Sequence, residues 1–399
     1  MNNSKKLISF ILGCLFFYGI SAFGSYKYFT RSQASIAKDQ PKSGTVVNNK
    51  FPTPDPSLPK NEICPLNGLS YTEPEKAIWS TRRPLAIMIE NSAESRPQSG
   101  ISFADIVYEA VAEGGITRFM GIFHCGVAYA GNLTVAPVRS ARIYFVNLLS
   151  EYDPLYVHVG GAGNCDDPNV DPKAKALCAI QSSKIKDLDQ MGRAGDFKTC
   201  HRLTNRLDHE VAWEHTMGCF VEELVKAGKK WGWTNVDSKG VSWNKYFIPW
   251  KFTANPILTN TSPALNVSYS FWDFNKEFQT AYDVSWQYDS ATQMYLRSNG
   301  GQKSIDLETG EQLAYKTVIV QLVKETSLAD LEKHMFYDVI GSGKGIVFTN
   351  GQAVSVTWSK PTRTSRTVFI NSSSGKEMQF VPGKIWISLV PSANKISYN

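Results

Sequence analysis

Apolar and polar positions follow two different rhythms along this chain. Between residues 82 and 160, short apolar runs are cut by charged turns. Residues 85–89 are apolar and close on a loop carrying Arg96, Pro97 and Gly100, which predicts a buried strand. Ser102 with Asp105 has capping-box spacing, and Asp105, Glu109 and Glu113 follow at steps of four. That step keeps side chains on one side of a helix or of a strand, so the three acids are expected to share a side in either form. Gly114-Gly115 then turns the chain into a strand over 116–123 that carries Arg118. Pro137 ends the next strand, and 140–149 has the spacing of an amphipathic helix with Arg139 and Arg142 at its start. A third strand over 155–159 carries His158 and runs into Gly160, Gly161 and Gly163.

The rhythm then changes. Residues 161–200 read as loop with short helices over 172–181 and 183–191, and 211–228 reads as a helix followed by Lys229 and Lys230. Beyond 240, strand-like runs recur at 267–272, 284–288, 294–297, 317–323, 345–348, 353–358, 367–370 and 384–390. Asn350-Gly351 between two of them is a strong hairpin signal. The fold class expected is α+β: an N-terminal mixed α/β part over 62–235 and a C-terminal, mostly antiparallel β part over 236–399.

The N-terminus sets the compartment. Lys5 and Lys6 precede a largely apolar run over 7–24, just long enough to cross a bilayer. A single-pass anchor is the first expectation. Cleavage after Gly24 and lipidation of Cys14 within Ile11-Leu12-Gly13-Cys14 are the alternatives. Residues 25–61 are rich in Ser, Lys, Pro and Asn and read as a flexible linker. Beyond Cys14 there are six cysteines, an even number that suits three disulfides in an oxidising space. Of 15 possible pairings, Cys64 with Cys125, Cys165 with Cys178 and Cys200 with Cys219 is the one expected. Six buried free thiols are the alternative. The protein is thus placed at the cell membrane, anchored, with its bulk outside the cytoplasm.

Composition excludes some functions. A net charge of +6 spread over 399 residues does not argue for nucleic acid. Gly341 to Gly345 (GSGKG) lacks the spacing of a phosphate-binding P-loop. No GxSxG or CxxC occurs. The placed charges of 82–160 remain. Arg118, Arg139 and Arg142, with a helix start near Ser140, would grip a phosphate or carboxylate. Glu109, Glu113 and His158 would line the same cleft. Alternatively the same arginines and acids pair with each other and knit the sheet edges. No cofactor is required, although the acids could hold a divalent cation. Trp231, Trp233, Trp243 and Trp250 are candidates for a sugar-stacking face or for core.

RPLAIMIENSAESRPQSGISFADIVYEAVAEGGITRF, VRSARIYFVNLLSEYDPLYVHVGG and the later GSGKGIVFTNGQAVSVTWSKPTRT resemble the YerB-like bacterial envelope proteins. The resemblance spans about residues 62–392. It implies a two-part α/β body that is exported and membrane-tethered, often by a lipid, and it supplies no activity. The chain departs from the family pattern around Arg206 and His215, where NRLDHEVAWEHTMG lacks the family's proline-histidine-asparagine turn. The function expected is a tethered envelope protein that binds an anionic cell-wall polymer, a lipid-linked precursor or a partner protein. The alternative is an envelope enzyme on phosphate-linked glycans, by analogy with the LytR-CpsA-Psr ligases and without a motif match.

Overall fold

The computed structural model describes residues 54–192, 195–272 and 280–399. The anchor expected over 1–24 and most of the 25–61 linker lie outside these residues. Among the described residues no helix is long and apolar enough to cross a membrane.

One mixed, twelve-stranded sheet organises the described chain. Its strands include β1 (Leu85–Glu90), β2 (Ile106–Glu113), β3 (Ile116–Phe123), β4 (Leu155–His158) and β5 (Lys186–Asp189). The later chain adds β6 (Thr317–Ser327), β7 (Gly341–Thr349), β8 (Gln352–Lys360) and β9 (Ile385–Pro391). Across the sheet they run β8-β7-β6-β9-β2-β3-β1-β4-β5. β9 lies between β6 and β2 and is parallel to both. The parts expected over 62–235 and 236–399 therefore share one sheet, and residues 49–399 form one compact unit.

The segment whose form the spacing left open, 106–113, is a strand. Every residue of β1 and β9 is buried, as expected of strands covered on both faces. One face carries the helix α1 (Ile143–Leu149), whose Tyr144 hydroxyl donates to Val111 O at 2.6 Å. The other face packs on a second sheet through Trp386, which meets Trp286 at 5.5 Å and Tyr315 at 5.1 Å between ring centroids. Such edge-on aromatic contacts add to what burial alone contributes. Asn350 and Gly351, with φ of 51° and 71°, turn β7 into β8. Both central residues of a type I′ turn need positive φ, which explains the Asn-Gly pair there.

Two helices expected from spacing are corrected. Residues 183–191 contain strand β5. The helix expected over 211–228 begins only at Val221 and runs to Lys230, and Met217–Phe220 is a strand. Two features hold Met217–Phe220 extended. Cys219 lies opposite Cys200 and is bonded to it, and a side chain at Gly218 would meet Leu203. All three disulfides are those expected: Cys64–Cys125, Cys165–Cys178 and Cys200–Cys219.

Candidate functional site

The three acids spaced by four do not share a side. Asp105 precedes β2 and turns back onto the loop after β3. It accepts the backbone N–H groups of His124, Cys125 and Gly126 at 2.7–3.0 Å and Asn67 Nδ2 at 2.6 Å. Burial pushes its carboxyl up to about 6, against the pull of those donors. Glu109 faces the second sheet. Arg297 Nη2 donates to its two oxygens at 2.8 and 3.0 Å, Thr117 Oγ1 at 2.9 Å and Trp386 Nε1 at 3.1 Å. Glu113 lies on the helix-covered face, because the register of β2 against β3 shifts between Val111 and Glu113. A bulge inserts one extra residue and so reverses the side on which later side chains point. Glu109 and Glu113 would share a face in a regular strand; the bulge separates them.

On the helix-covered face, Glu113 meets two of the expected arginines. Its carboxylate pairs with Arg142 and lies 3.6 Å from Arg118 Nη2. Arg118 also donates to Ser140 O at 3.2 Å, and Arg142 to Ala141 O at 2.7 Å. Arg142 occupies the N-cap of α1, which starts at Ile143 rather than Ser140. Residues 139–141 are instead held extended, with Arg139 N donating to Met88 O and Ala141 N to Gly160 O. At seven residues, α1 is too short for its N-terminus to serve as an anion site in its own right.

Arg139 is half-buried and turns to Glu90, with Nε 3.1 Å from Oε1. Glu90 stands opposite Arg118 across β1 and β3 and also contacts His215 Nδ1 at 2.6 Å. His215 Nε2 in turn lies 2.8 Å from Glu94. Spacing pointed to none of Glu90, Glu94 and His215 as a group, because 125 residues separate the buried pair. His158 is fully buried. Its Nε2 lies 2.7 Å from Asp187 and its Nδ1 2.8 Å from Gly160 O, so both ring nitrogens have partners within the protein.

What remains is a desolvated group of donors. Arg118 is 2% exposed and Arg142 6% exposed. Arg118 Nε, Arg142 Nε and the Tyr156 hydroxyl are buried without a hydrogen-bond partner. Burial pushes both guanidiniums down, opposed by Glu90 for Arg118 and by Tyr144 for Arg142. Burial, then Asp187, pushes the Tyr156 hydroxyl well above its usual range, while the two arginines pull it back. Unsatisfied buried donors are costly, so a group of them calls for an explanation. The carboxylates expected to hold a cation are dispersed. Among the described residues, the grouping with ion-sharing distances is Cys64, Asp105 and Cys125. Its two sulfurs are tied in a disulfide.

Two family models match this chain. Residues 66–211 match the N-terminal domain, and 274–387 the C-terminal domain, of the protein of unknown function DUF3048. The Bacillus subtilis (strain 168) protein named "Putative lipoprotein YerB" is 31% identical over 349 residues, 86% of this chain and 90% of that one. The chain belongs to the DUF3048 family. A crystal structure of YerB from Bacillus subtilis superposes with a TM-score of 0.65 at 28% identity. It covers 84% of this chain and 99% of that one. The DUF3048 fold thus holds both matched regions, and β9, whose strand the second model reaches, pairs with β2 from the first.

Proposed function

We propose that this DUF3048 protein is tethered to the cell membrane outside the cytoplasm and binds an anionic cell-wall polymer through Arg118, Arg142 and Tyr156. The observation that carries this reading is three buried donor atoms without partners, Arg118 Nε, Arg142 Nε and the Tyr156 hydroxyl, beside Glu113, the carboxylate both arginines share. A phosphate or carboxylate entering beside Glu113 would satisfy donors whose desolvation is otherwise uncompensated. The lipoprotein name of the relative and three disulfides support the compartment.

Titration calorimetry with soluble phosphorylated wall fragments tests it. The wild type binds, and Arg142→Ala removes binding with little change in melting temperature. Arg142→Lys keeps the charge but loses the planar fork, and binds weakly. A collapse of melting temperature in Arg142→Ala, with no heat of binding in the wild type, would leave Arg118, Arg142 and Glu113 as a purely internal ion-pair group.

A further inference from the structure

One lysine-rich stretch lies outside the arginine group. From the start of the helix Val221–Lys230 to Lys251, six lysines stand against three acids, Glu222, Glu223 and Asp237, a net +3. Lys226, Lys229 and Lys230 end the helix α2 (Val221–Lys230), which buries Val221, Leu224 and Val225 and leaves these lysines exposed. The chain then folds back over the helix end, with Trp231 N and Trp233 N both donating to Gly228 O, at 3.1 and 2.9 Å. A short hairpin follows. Val236 bridges Ser242, and Trp243 N donates to Asn235 O at 2.8 Å; the chain then turns again, with Lys245 N donating to Ser242 O at 3.1 Å and Phe247 N to Asn244 O at 3.2 Å.

This surface is apolar as well as basic. Trp231 is 45% exposed and stacks on Trp233 with centroids 5.9 Å apart. Tyr246 is 81% and Ile248 65% exposed. Lys226 is shared with Glu223 and Lys251 with Glu377, whereas Lys229, Lys230 and Lys239 form no ion pair within the described residues. Trp243 and Trp250 are buried and belong to the core. Asn235 Nδ2 donates to Ser80 O at 2.8 Å, which ties the hairpin to the end of Glu73–Trp79, the first helix of the compact unit. Lysines interleaved with exposed tryptophan, tyrosine and isoleucine are what a bilayer interface selects. The ammonium groups meet anionic headgroups, and the amphipathic rings settle at headgroup depth.

We infer that the α2 end and the 235–243 hairpin form a docking surface for an anionic lipid headgroup layer, so that the body lies down on the membrane rather than standing off it. A free poly(glycerol phosphate) chain, which has no sugar ring to stack, would use the lysines but not the exposed rings and isoleucine, which favours the lipid surface. The inference does not depend on the arginine group.

Residues 49–399 form one compact unit with its own core and all three disulfides, so that unit, lacking the anchor segment, is the probe. Its co-sedimentation is measured with vesicles of phosphatidylcholine alone and of phosphatidylcholine with phosphatidylglycerol. The unit partitions onto the anionic vesicles. Lys229→Gln/Lys230→Gln lowers that partition roughly thirtyfold. Trp231→Ala weakens what persists at high salt. Thermal melting checks that the surface variants fold. Equal partition of wild type and the double lysine variant would overturn the inference. So would retention on soluble poly(glycerol phosphate) without vesicle binding, which would assign the face to a wall polymer.

Discussion

Glu151 sits just past α1 and is fully buried, yet four donors from a single later stretch converge on it. Lys360 Nζ donates at 2.8 Å, Arg366 Nη1 at 2.7 Å, Thr367 N at 3.1 Å and Thr367 Oγ1 at 2.5 Å. Arg366 in turn lies 3.5 Å from the centroid of the Trp250 ring. Burial would raise the Glu151 carboxyl, but Lys360 and Arg366 outweigh it and hold it below its ordinary value. A carboxyl lowered in the folded state stabilises fully above its unfolded value of about 4.3, and that contribution is lost as pH falls through the lower folded value. Glu151→Gln should cost roughly 3–5 kcal/mol at neutral pH, because two buried cations lose their counter-charge. Urea unfolding at pH 7 and again at acid pH checks this, and the gap between variant and wild type should narrow in acid. The same residue scale shows where the candidate site was legible. Arg118 and Arg142 were readable because they flank strand and helix starts near Glu113 in sequence. Glu109 was misplaced because its partner, Arg297, is 188 residues away, and the bulge that carries Glu113 to the opposite face is invisible in spacing. His158 was readable as a strand-end histidine, but not its two internal partners.

At the scale of elements, the β-rich half was read closely. The runs expected at 284–288 and 353–358 are the cores of Val284–Asp289 and Gln352–Lys360. Alternation and Asn-Gly turns are local signals, and hairpins are local structures, so the one reports the other. The misreadings lie where a non-local constraint prevailed. Met217–Phe220 has helical spacing, but it is drawn into a three-stranded sheet beside Cys200–Arg202 and Thr134–Val135. The bond between Cys200 and Cys219 is therefore expected to stabilise this small sheet rather than a loop. Cys200→Ser/Cys219→Ser should cost about 2–5 kcal/mol in a denaturant melt. Mass spectrometry of the native, unreduced protein should find none of the six cysteines open to alkylation.

Over the whole molecule, the feature that spacing could not reveal is the place of β9. Its apolar run reads simply as one more strand of the later half. In the fold, Ile385–Ser388 pair with Ile106–Glu109 on one side, and Ile385–Pro391 with Thr317–Val323 on the other. Strand order in a sheet follows from long-range packing, which leaves no periodic trace in the chain. A chain ending at Phe380 should therefore lose protection throughout β2 and β3, not only at its own end, and hydrogen exchange would show it.

That arrangement also bears on how such a chain is made. Ser388 emerges about 280 residues after its partner Glu109. At about 5–20 residues per second, the inner edge of β2 stays open for roughly 14–56 s of synthesis. During that interval a hydrophobic, hydrogen-bond-hungry edge is available to any other strand. The final turns of elongation, rather than the first, decide whether the body closes on itself or on a neighbour. For this fold, the edge of β2 is closed by the last strand of its sheet to be made, so the end of the chain, not its start, protects the centre of the sheet.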